Sequence, residues 1–70
     1  MKASKPRKFT FGPSNRMEGT YVVREGMVVI TTPFGPDESG ASDHERVNDF
    51  VARDLGNALY REHEASRKAH

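Results

Sequence analysis

The chain has 70 residues, with 11 Lys plus Arg against 10 Asp plus Glu and no cysteine, so it holds at most one small, nearly neutral domain. The lack of cysteine excludes a disulfide framework, a thiolate zinc site and a cysteine nucleophile. Leu, Ile, Val and Phe number 13 of 70, a fraction at which strongly charged chains stay disordered, but the formal charge of +1 predicts instead a small ordered core with disordered ends.

Charge is uneven along the chain. Residues 1–17 carry Lys2, Lys5, Arg7, Lys8 and Arg16 and no acid, and Pro6, Gly12, Pro13, Ser14 and Asn15 interrupt them, which predicts a flexible basic N-terminal arm. Within it, Lys8-Phe9-Thr10-Phe11 alternates aromatic with polar residues and has the pattern of a short third strand. The longest apolar run, Met27 to Ile30, is too short for a membrane span, and no apolar core follows the basic start, so a cytoplasmic location is expected.

Thr20 to Val23 and Met27 to Thr31 are β-branched and aromatic runs around Arg24-Glu25-Gly26, the pattern of a β-hairpin. A two-residue turn forces positive φ on Glu25, whereas a three-residue turn with a bulge requires it at Gly26 alone, so the second is expected. That register puts Tyr21, Val23, Met27 and Val29 on one face and Val22, Val28 and Ile30 on the other. The two-residue register groups Tyr21 and Val23 with Val28 and Ile30 instead. Val22 lies on the lesser face in both.

Residues 33–42 are rich in Pro, Gly and Ser, lack apolar periodicity and predict a loop. Ser42 and Glu45 have capping-box spacing at the start of a helix from Asp43 to about Ala65, with Val47, Phe50, Val51, Leu55 and Leu59 facing the hairpin. Asp49–Arg53 and Glu64–Lys68 have the spacing of helical ion pairs, and Gly56 falls opposite the apolar stripe as a surface glycine. Such a helix overhangs its two-stranded platform, so its last turns are expected to fray. With Tyr21 to Val29 followed by this helix, the chain resembles a loose group of short bacterial proteins of no assigned activity. The resemblance covers roughly Thr20 to Arg61, departs from the group's tighter connections at residues 33–42, and implies a bacterial source and no functional residue.

Chemistry-bearing patterns are sparse. His44, His63 and His70 stand beside no recognisable triad, and none forms a metal-binding pair at helical spacing, so neither an enzyme nor a metal or other cofactor is expected. Asp37, Glu38, Asp43 and Glu45 around the loop would repel phosphate, which disfavours nucleotide as a small-molecule ligand.

The expected fold is α+β: a small ββα unit over residues 18–66, with the arm at 1–17, the loop at 33–42 and a frayed tail at 67–70. One helix covers one face of a hairpin, so the other, carrying Val22, Val28 and Ile30, needs a partner. The expected function is therefore a non-catalytic interaction module that self-associates, or binds another protein, through that outer face. The alternative is a nucleic-acid accessory protein in which Lys2, Lys5, Arg7, Lys8 and Arg16 neutralise phosphates while Phe9 and Phe11 stack on bases.

Overall fold

The computed structural model describes residues 5–68. Strands β1 (Arg7–Phe11), β2 (Met17–Arg24), β3 (Met27–Thr32) and β4 (Gly35–Gly40) form one antiparallel sheet in the order β1-β2-β3-β4, followed by helix α1 (Glu45–Lys68). The α+β class matches the sequence expectation, with a four-stranded meander in place of a lone hairpin.

The central hairpin turns on two residues, not three. Arg24 pairs with Met27, and Glu25 and Gly26 both have positive φ, 51° and 73°. Left-handed backbone costs a non-glycine residue roughly 1–2 kcal/mol. The register it allows sends Val28 and Ile30 to the side of Tyr21, where both are completely buried, and burying such a side chain is worth about 1.5–3 kcal/mol. In the bulged register Met27 and Val29 would take those places, so the adopted turn sets the β-branched pair Val28 and Ile30 in the core with the strain held at Glu25.

The segment expected to be a flexible arm contains β1, as the Phe9/Phe11 alternation suggested. Phe9 faces Gly19 across the β1–β2 ladder, and both phenylalanines are buried. Gly19 is required there because a Cβ would come within 2.8 Å of the Phe9 ring. The segment expected to be a loop contains β4. Pro33 and Phe34 form its tight connection to β3, where the Thr32 hydroxyl donates to the Gly35 carbonyl and accepts from the Phe34 amide, at 2.9 and 3.0 Å. β4 (Gly-Pro-Asp-Glu-Ser-Gly) carries no apolar alternation; its backbone pairing holds it, and an edge strand tolerates Pro and charge.

Helix α1 lies across the inner face of the sheet against β1, β3 and β4. Its buried meridian is Asn48, Ala52 and Gly56, with Val51, Leu55, Leu59 and Tyr60 packed at the sides. Gly56 is not a surface residue: a Cβ there would lie 2.7 Å from Cγ of Phe11 and 3.0 Å from Cε2 of Phe9. The expected helix face is corrected accordingly, since Val47 and Phe50 point to solvent, 43% and 64% exposed. Close approach to the two phenylalanines, not maximal apolar contact, sets the helix rotation. Phe34 meets Phe11, Tyr60 and His63, at centroid distances of 6.0, 5.7 and 4.7 Å, which anchors α1 through His63. Beyond it, residues 65–67 are exposed and the helix continues to Lys68; residues 69–70 of the expected tail lie outside the described residues.

Candidate interaction surface

The helix makes polar contacts from its buried meridian and from the side that faces β1. Asn48 holds the segment before the helix by both halves of its amide: Ser42 N–H donates to Oδ1 at 2.7 Å, and Nδ2 donates to the Ser42 carbonyl at 3.0 Å. The expected Ser42–Glu45 capping box is replaced. The Ser42 hydroxyl accepts from the His44 amide at 3.1 Å, while Glu45 pairs with Arg7.

Along the β1 side, Glu45, Asp49, Arg53 and Asn57 recur every four residues and each engages a group on the sheet or beside it. Asp49 accepts from the Tyr21 hydroxyl, Arg53 Nε donates to the Thr10 carbonyl at 3.0 Å, and Asn57 Oδ1 accepts from the Gly12 amide at 2.6 Å. Asp49 and Arg53 therefore serve tertiary contacts rather than the helical ion pair expected of them. Glu64 pairs with Arg67, and the Lys68 side chain expected opposite it lies outside the described side chains. Burial, reinforced by the Asp49 carboxylate, pushes the Tyr21 phenol up to about 12. The half-buried Tyr60 phenol is also raised, chiefly by its hydrogen bond to Glu64.

These contacts occupy the end of the β1 edge: Arg53 takes the outward Thr10 carbonyl, and Asn57 takes the Gly12 amide just past the strand. The β4 edge is blunted by different means: Pro36 has no N–H, and the Glu38 amide donates to the Asp37 carboxylate at 2.8 Å.

Of the three residues expected at a contact surface, the structure brings Val28 and Ile30 into the core and leaves Val22 on the outer face. A shift of one residue in register inverts every side chain of β3, so Val22 instead faces Val29 across the ladder, in the company of Met27. Both valines are partly covered, and Thr20, Thr31, Arg24 and Glu38 surround them.

Among the residues expected to contact nucleic acid, Lys5, Lys8 and Arg16 are exposed, Arg7 is paired with Glu45, and Lys2 lies outside the described residues. Phe9 and Phe11 are in the core and have no face available for a base. The basic residues thus stand without the aromatic platform that reading required.

The surface feature that the sequence pattern concealed is Phe50. At 3.6 residues per turn it lies about 160° around the helix from Ala52, opposite the buried meridian. It borders an open depression with Arg46, Asp49 and Arg53, and Val47 stands one turn before it. The signal for this lay in the small or polar row Asn48, Ala52, Gly56, whose spacing of four residues marks the face that approaches the sheet. Among the described residues no group of three or more His, Asp and Glu is placed to hold a metal, and no helix is long and apolar enough to cross a membrane. Comparison with protein-family models, curated proteins and solved structures returns no match, so no activity or residue role is carried to this chain from a relative.

Proposed function

We propose that this chain is a non-catalytic, cytoplasmic interaction module that self-associates, and that its contact surface is the solvent face of the first half of α1. The observation that carries the reading is Phe50, a phenylalanine 64% exposed on a well-packed helix. An aromatic ring and the adjoining Val47 in water are a cost that docking removes. A non-catalytic role is supported by the way the helix uses its functional groups: Asn48, Asp49, Arg53 and Asn57 are spent on backbone and on Tyr21.

Sedimentation of the wild type, Phe50→Ser and Val22→Lys across a concentration series tests the surface. Concentration-dependent mass growth is expected in the wild type and in Val22→Lys, and its loss in Phe50→Ser. Loss in Val22→Lys alone would move the interface to the outer sheet face, and a wild type that stays monomeric throughout would end the self-association reading.

A further inference from the structure

The charges around Phe50 specify how two copies meet. Arg46, Phe50 and Asp54 are spaced four residues apart, so base, ring and acid form one row along the exposed side of the helix. The two ends of the row lie roughly 6 Å before and after Phe50 along the helix axis. Neither charge is used elsewhere: among the described residues the ion pairs are Arg7–Glu45 and Arg67–Glu64, and the neighbouring Asp49 and Arg53 are engaged with Tyr21 and Thr10.

We propose that the occupant of this face is a second copy of the chain, its α1 antiparallel to the first across a twofold axis at Phe50, with Arg46 of each copy paired to Asp54 of the other. This deepens the self-association reading and rests on it. A twofold axis at Phe50 sets each residue before it opposite the residue equally far after it, so a row that is basic at one end and acidic at the other is complementary to itself. A parallel pair would instead set Arg46 against Arg46 and Asp54 against Asp54.

The row cancels in charge, so it has no preference for a polyanion or a polycation, and the central ring meets its own copy in an aromatic contact. Helices that pack their four-residue rows together cross at about 50°, and roughly 6 Å from the crossing point the axes diverge sideways by only about 5 Å, which an arginine side chain spans. In the same arrangement Val47 and its copy lie side by side on one flank of the axis and extend the apolar contact.

Charge reversal tests the pairing. Arg46 and Asp54 are exposed and two helical turns apart, so Arg46→Asp and Asp54→Arg leave the fold intact, checked by far-ultraviolet circular dichroism. Sedimentation equilibrium follows each chain from about 10 μM to about 1 mM, the range suited to a patch of this size. Each single variant turns two attractive pairs into two repulsive ones and is expected to weaken the dimer by about tenfold or more. The double variant, Arg46→Asp with Asp54→Arg, restores opposite charges at both positions and should return close to wild-type affinity. A wild type that dimerises while the single variants match it, or while the double variant is weaker than either, overturns the antiparallel pairing and leaves self-association standing. A wild type monomeric over the whole range overturns both.

Discussion

Replacing Gly56 by Ala separates two accounts of this helix by the sign of the effect. For a glycine on an exposed helix surface the substitution stabilises by about 1 kcal/mol, because alanine loses less backbone freedom on folding. At Gly56 the new Cβ would sit 2.7 Å from Cγ of Phe11, 3.1 Å from its Cβ and 3.0 Å from Cε2 of Phe9. Two of these three atoms lie at the root of the Phe11 side chain, so a rotamer change alone does not clear them. Phe9 cannot retreat towards the sheet because its ring already fills the space above Gly19, where an added Cβ would be 2.8 Å from Cζ. Overpacking of this kind costs about 1–3 kcal/mol. With the first atom under 3 Å and both rings confined, the cost belongs near the upper end, for a net loss of about 1–2 kcal/mol after the gain in helix propensity. In a domain of this size that lowers Tm by roughly 4–16 °C, against a rise of about 4–8 °C for a surface glycine. Thermal melts of wild type and Gly56→Ala at one protein concentration make the measurement. A raised Tm would refute both the helix rotation and the burial of Gly56 against β1.

Two further tests address the polar contacts of the helix. Asn48→Ala leaves the Ser42 N–H and C=O without their partner and should cost about 1–3 kcal/mol; hydrogen exchange at the Ser42 amide should accelerate, and unchanged protection there would mean that Asn48 does not hold this segment. The Tyr21 phenol is raised from 10.0 to about 12 in the folded chain, so from pH 10 upward the unfolded chain gives up this proton before the folded one does. The stability this group contributes is fully present below pH 10 and declines as pH rises towards about 12. Urea titrations across that window should show a steeper decline in the wild type than in Tyr21→Phe, and parallel declines would count against the Tyr21–Asp49 bond.

The two central strands, the place of their turn, the helix and the strand-like spacing of Phe9 and Phe11 were legible because each follows a burial period. β4 was not, since an edge strand is held by its ladder and carries no apolar period to read. The register went wrong because local backbone preference argued against positive φ at Glu25, whereas the chain accepts it there and places Val28 and Ile30, in place of Met27 and Val29, in the core. The helix rotation went wrong for a steric one. Val47 and Phe50 extend the apolar arc that begins at Val51, and periodicity alone cannot say which part of that arc meets the sheet. The decision lay with Gly56 and Ala52, which let the helix come close to Phe9 and Phe11, and with Asn48, whose amide matches a backbone donor and acceptor. The expected contact surface inherited the register error, so two of the three side chains assigned to it, Val28 and Ile30, lie within the core and Val22 alone stays on the outer face.

The same contacts that fix the helix also narrow the ways in which this small sheet can associate. Exposed strand edges are the usual route by which antiparallel sheets join. Here Arg53 takes the Thr10 carbonyl on the β1 edge, Asn57 takes the Gly12 amide just past its end, and the β4 edge loses donors at Pro36 and Glu38. The outer sheet face presents Val22, Val29 and Met27 within a border of threonines and charges, a surface that water tolerates. What stays unmatched is Phe50 with the free charges on either side of it. Strand addition offers nothing to that ring, whereas a second helix covers it and pairs both charges, so association through α1 removes the largest remaining apolar exposure without uncovering the sheet.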